Sequence, residues 1–208
     1  GTSAFSNGLV LSTRATLILS NTAVATISGD LSGNGGLLKA GSGWMILNGA
    51  NTYVAGTTNA AGILEAVNPG ALWGYDTPGS VVVRNGATMA ALATGEAGQW
   101  TSADIDTLTA NATWDAGGNL GIDVPSNSFT YGTAITGAKG FVKLGAGTLT
   151  LNGANTYSGA TAVRDGTLVL GSAGQLSATA GLLLGDPLTT TGTGVFDLAG
   201  YGQTVAQF

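Results

Sequence analysis

Hydrophobic and polar positions alternate along this chain in short bursts and never settle into a longer rhythm. In Thr148-Leu149-Thr150-Leu151 both leucines fall on one side of an extended strand and both threonines on the other. Similar β-branched and apolar runs of about four residues, bounded by Gly and Asn, predict strands at Leu37–Lys39, Trp44–Leu47, Thr57–Asn59, Phe141–Lys143, Thr148–Leu151 and Thr161–Val163. A further strand follows Gly62, and another follows Gly166. Elsewhere strands are predicted at Val24–Ile27, Val81–Val83, Thr88–Ala91, Leu120–Val124, Leu182–Leu184 and Val195–Leu198, with turn signals at Asn85-Gly86, Gly117-Gly118 and Gly192-x-Gly194. No stretch keeps a 3.6-residue apolar period over two turns behind a capping residue, so no helix is predicted.

The strand pattern repeats. Gly36–Ala66 and Gly140–Leu170 align without a gap at an offset of 104 residues and share 14 of 31 positions, including an unbroken LNGANTY at Leu47–Tyr53 and Leu151–Tyr157. Each copy runs strand, Gly-x-Gly turn (Gly41 and Gly43; Gly145 and Gly147), strand, Asn-Gly-Ala-Asn corner, strand, strand. Short strands with Gly and Asn corners and no helices fit an all-β solenoid whose coils stack at ~4.8 Å. Coils of roughly 20 residues predict about five between the copies, about ten in all, and a rod on the order of 45–50 Å long, as one segment over 1–208. Two stretches break the pattern and are expected to leave the rod: 68–79 (NPGALWGYDTPG) and 95–111 (GEAGQWTSADIDTLTAN).

Lys143, Gly145, Gly147, Leu149, Leu151, Gly153, Asn155, Thr156, Tyr157, Thr161, Gly166 and Leu168 form a pattern that resembles the passenger-associated β-strand repeat of bacterial autotransporters. The first copy departs at Trp44 and Met45, and has Ala55 where the second has Gly159. The resemblance covers about two thirds of the chain. It implies a right-handed parallel β-helix, exported across an outer membrane and displayed on or shed from the cell surface, anchored through a part not present here. It implies no catalytic activity, because this repeat marks a stalk.

The recurring residues have physical work to do. The Gly-x-Gly and Asn-Gly turns are expected to take φ > 0. Asn48, Gly49, Asn51, Asn152, Gly153 and Asn155 build the corners, the asparagines satisfying backbone groups that a buried bend cannot leave unpaired. Tyr53 and Tyr157 are read as packed corner rings. Trp44 is different: register places Met45 and Leu47 inward, so Trp44 and Ile46 face out. That pair is either covered, with 68–79 as the expected cover, or offered to a partner. The candidate binding residues are therefore Trp44, Ile46, Trp73, Tyr75 and Trp100, with sugars as the ligand class.

Composition narrows the chemistry. There is no Cys and no His, which removes disulfides, thiolate nucleophiles, imidazole ligands and a Ser-His-Asp triad. The six basic residues are scattered and net charge is −5, which argues against nucleic acid. The longest uncharged stretches are broken by Gly, so membrane insertion is not expected. No basic-then-apolar leader opens the chain, which reads as a mature or excised segment. Asp104 and Asp106 would share a face of an extended strand, with Asp115 and Asp123 a coil away; this is the one candidate cluster for a carbohydrate-active site. No cofactor or metal is implied. The expected function is a non-catalytic structural and adhesive stalk, whose partners are like chains, through stacking of uncapped ends, or host and surface glycans.

Overall fold

Short alternating strands cannot bury an apolar face alone, so each winding must be closed by its neighbours. In the computed structural model, which describes residues 3–171, 176–177, 181–185 and 192–204, they do so as a parallel β-solenoid. Its longest wall is a nine-stranded parallel sheet: Ser3–Phe5, Ala25–Ile27, Trp44–Leu47, Ile63–Ala66, Thr88–Leu92, Asn119–Asp123, Gly140–Leu144, Thr161–Val163 and Leu182–Leu184. A second wall stacks Thr16–Leu19, Gly36–Lys39, Thr57–Asn59, Val81–Val83 and Thr113–Trp114.

The third wall is not uniform. It begins with paired strands Leu9–Leu11 and Leu31–Gly33 and ends with the four-stranded sheet Ser128–Tyr131, Thr148–Leu151, Gly166–Leu170 and Gly194–Asp197. Between them the wall is built from the Asn51–Tyr53 corner, a 3-10 turn at Pro69–Ala71 and an α-helix at Ser102–Asn111.

Register along the long sheet measures each winding. Residue 3 pairs with 25, 25 with 45, 45 with 64, 64 with 89, 89 with 120, 120 with 141, 141 with 161 and 161 with 182. Windings therefore take 22, 20 and 19 residues, then 25 and 31, then 21, 20 and 21, giving about eight turns. The enlarged fourth and fifth windings contain 68–79 and 95–111, which absorb chain that a uniform 20-residue coil would have turned into extra coils.

The two repeat copies are not in phase. The strand at Leu37 lies in the second wall, whereas its counterpart at Phe141 lies in the long sheet. They are separated by four windings and one wall, against the five coils expected. The interior is nevertheless continuous: Met45, Leu47, Leu149 and Leu151 all belong to one buried core.

The helix corrects the sequence reading. Its signal is short: Thr101 accepts from the Asp104 N–H, while Asp104 reaches back to the Thr101 N–H at 3.0 Å, a reciprocal capping box. Only Ile105 and Leu108 are buried on it, too few for two turns of visible apolar period. Asp104 and Asp106 therefore lie on a helix, not on one strand face.

Candidate functional site

The repeat corners consume their own polar groups. Asn51 accepts from the Leu31 N–H at 2.8 Å and donates to the Ala71 carbonyl at 2.7 Å, bridging the windings before and after it. Asn155 accepts from the Ile135 N–H at 2.8 Å and donates to the Gly153 carbonyl at 3.0 Å. Asn48 is exposed and Asn152 is half-buried against Gly171, so the second asparagine of each corner carries the bonds. Tyr53 bonds Thr57 Oγ1 at 2.6 Å, and Tyr157 meets Thr161 in the same way, which accounts for the Tyr-x-x-x-Thr spacing. Burial pushes both phenols up to about 12.

The glycines work mostly by proximity. Gly145 does take φ +74° as expected, but Gly41, Gly43, Gly147, Gly49 and Gly153 are not in the left-handed region. At Gly41 a Cβ would lie 2.0 Å from the Asn21 carbonyl oxygen of the preceding winding. Stacked corners leave no room for a side chain there.

Lys39 and Lys143 form a pair whose role the sequence reading left blank. Both are fully buried and point inward, in phase with Leu37 and Phe141. The Lys39 ammonium donates to the carbonyls of Gly41 and, at 3.0 Å, Ala61. Lys143 donates to Leu144, Gly145 and Asp165 carbonyls at 2.7, 2.5 and 3.2 Å. Each lysine thus ties a Gly-x-Gly turn to the next winding. Desolvation lowers both ammonium pKa values, Lys143 to about 8 even though Asp123 and Asp165 pull it upward.

Trp44 and Ile46 do lie outside the core, half-buried. The cover is not 68–79. Trp44 packs on a small outer cluster of Ile63, Ala90, Val142 and Leu144, and its indole N–H donates to Glu65 at 2.6 Å. Glu65 is 3% exposed and lies near Asp123, itself 6% exposed. Burial raises both carboxyls, Glu65 to about 8 and Asp123 to about 6; mutual repulsion adds to the first, and Lys143 opposes the second.

The other candidate aromatics, Trp73, Tyr75 and Trp100, come together near the third wall. Trp73 meets Tyr53 at 6.3 Å between ring centroids, and Tyr75 meets Trp100 edge-on at 5.1 Å. Trp100 is 1% exposed and donates to the Ala66 carbonyl at 2.8 Å, so it is a core ring closed to ligands. The candidate acidic cluster is dispersed among separate partners. Asp104 closes the capping box and accepts from Tyr75; Asp106 accepts from Tyr131 and Thr133; Asp115 faces Arg84; Asp123 faces Glu65. Among the described residues no three His, Cys, Asp or Glu side chains are grouped to hold a metal ion, and no helix is long and apolar enough to cross a membrane.

Stacked parallel windings with tied corners define the class: a parallel β-solenoid. The passenger-associated-transport-repeat family matches residues 37–66 and 141–170, the two copies described above. Over 157 residues, 69% of this chain, the sequence is 35% identical to the adhesin BmaC autotransporter of Brucella suis biovar 1 (strain 1330). The chain spans about 4% of that relative. No solved structure matches. The chain is an autotransporter passenger segment built on two of these repeats, and so belongs to the extracellular or surface-displayed part of such a protein.

Proposed function

We propose that this segment is a non-catalytic stalk that spaces other parts of a surface protein from the cell, held to the outer membrane through another part of the chain, and that like chains adhere to one another through it. The observation that carries this reading is the use to which the repeat residues are put. Lysine and asparagine bond to an adjacent winding or turn, and tyrosine to the next strand of its own winding, so these repeat side chains are spent on holding the coil together. About eight windings at ~4.8 Å give a spacer of roughly 38 Å.

Self-association is supported by an apolar hollow of about 260 Å³ in the first windings, lined by Phe5, Leu9, Leu17, Leu19, Ile27 and Met45. Exposed Val10 and Ile18 belong to the neighbouring walls. A second copy that covers these groups removes them from water at about 25 cal/mol per Å². The 35%-identical relative carries the name adhesin, in line with this reading. Multi-angle light scattering tests it. Mass should rise with concentration, and Leu17→Glu should hold the chain monomeric. A monomer at millimolar concentration would remove the adhesive part of the proposal.

A further inference from the structure

The chain has four tryptophans, and three have their indole N–H engaged internally: Trp44 by Glu65, Trp100 by the Ala66 carbonyl and Trp114 by the Thr109 carbonyl. Among the described residues the Trp73 N–H meets no acceptor, and Trp73 is half-buried beside a cleft of about 260 Å³ on the third wall. Pro69, Leu72, Tyr75, Asp76 and Thr77 are among the residues that line it with Trp73. We propose that this cleft binds one ring of a neutral sugar, with the Trp73 indole as the stacking platform and the Asp76 carboxylate as the acceptor for ring hydroxyls.

The chemistry of the lining selects this ligand. The electron-rich face of an indole attracts the electropositive C–H edge of a pyranose, and a sugar presents such an apolar face beside hydroxyls that both donate and accept. Asp76 is exposed and, among the described residues, accepts only from Thr77, at 3.3 Å, so its carboxylate has acceptor capacity to spare. No Lys or Arg lines the cleft, and net charge is −5, so an acidic sugar would find no counter-charge. The volume is below the ~300–1,000 Å³ of sites for drug-sized ligands, which suits a single ring.

The cleft is also held in shape before any ligand arrives. Asn68 caps the 3-10 turn by accepting from the Ala71 N–H at 3.0 Å. Tyr75 reaches Asp104 at 3.4 Å, and the Gly79 N–H donates to the Asn111 carbonyl at 2.9 Å, fastening the excursion to both ends of the helix. A pre-formed ring platform spares the ligand the cost of ordering a loop. The proposal deepens the surface reading by naming a partner class; it relies on the rod lying outside the cell and not on self-association.

The test is titration of the 208-residue chain with methyl glucoside, methyl galactoside, methyl mannoside and N-acetylglucosamine, followed by saturation-transfer NMR, with N-acetylneuraminic acid as the anionic comparator. Saturable binding of at least one neutral sugar in the roughly millimolar range is expected, as befits one ring. Trp73→Ala should weaken it at least about tenfold and Asp76→Asn about threefold, while Trp44→Thr leaves it unchanged. Trp73→Ala also removes a contact with Tyr53, so the exposed Asp76→Asn keeps the test informative if the first variant loosens the fold. No saturable neutral-sugar binding, or binding indifferent to both cleft variants, overturns the proposal, as does preference for N-acetylneuraminic acid. Asp76→Asn leaves the apolar hollow intact, so light scattering on it still judges the stalk reading separately.

Discussion

The two repeat copies share 14 of 31 residues and solve the same corner problem, yet they are mounted on different walls of the rod. The first runs from the second wall into the long sheet; the second runs from the long sheet into the four-stranded one. Bonds inside each corner are preserved through this change, from the Tyr–Thr hydroxyl pair to the asparagine that accepts from the preceding winding. What differs is the surroundings. Tyr53 abuts Trp73 of the irregular third wall, whereas Tyr157 abuts Phe141 of a regular strand at 6.3 Å. Lys143 has Asp123 and Asp165 facing it, whereas burial alone lowers the Lys39 pKa. The repeat specifies a corner, and the neighbouring windings decide its electrostatics.

The largest expected effect tests whether the corners are equivalent. Tyr53→Ala and Tyr157→Ala should each cost about 3–5 kcal/mol in urea unfolding, since each empties a buried ring site. A large difference between them would show that wall context outweighs the corner. Next, Asn51→Ala and Asn155→Ala should each cost about 1–3 kcal/mol, because a buried N–H of Leu31 or Ile135 loses its acceptor.

The carboxyl pair and Lys143 sharpen the electrostatic contrast. Glu65 is raised from 4.5 to about 8 in the fold, so its stabilisation is full below pH 4.5 and is lost as pH rises through 8. Asp123, raised from 3.8 to about 6, acts in the same sense over its lower window. Lys143 is lowered from 10.5 to about 8, so stability lost near pH 8 returns as pH climbs toward 10. The melting temperature should therefore pass through a minimum near pH 8 and rise by roughly 5 °C or more on acidification to pH 5. Glu65→Gln should flatten the acid arm, and Lys143→Met should flatten the alkaline arm more than Lys39→Met does. The smallest effect is expected at Asn48→Ala, within about 0.5 kcal/mol by thermal melting, because that side chain is exposed.

Much of this fold was legible because its strands carry their own punctuation. Trp44–Leu47, Thr57–Asn59, Val81–Val83, Thr148–Leu151, Thr161–Val163 and Leu182–Leu184 form where alternation and flanking turns placed them. Val195–Leu198 appears one residue earlier, at Gly194–Asp197, while 186–191 lies outside the described residues. Strands at Leu9–Leu11, Thr16–Leu19 and Leu31–Gly33 were not anticipated, since no recurring corner frames them. The helix was missed because its evidence is one capping box and two buried side chains, and neither makes a period. Position in the chain could not reveal which of four tryptophans has an indole N–H that meets no acceptor among the described residues. That depends on which carbonyl or carboxylate the neighbouring windings bring to each indole. Inward phase with Leu37 and Phe141 could have flagged the two lysines, but a charged residue at an interior position reads as an exception until its carbonyl partners are seen.

The offset of four windings and one wall has a consequence for how such proteins grow. A cassette of about thirty residues that seats on either pair of adjoining walls need not be duplicated at a whole number of turns. Unequal recombination can drop it in at many points along a gene and still yield a closed tube. Successive copies then turn their corners toward different compass bearings.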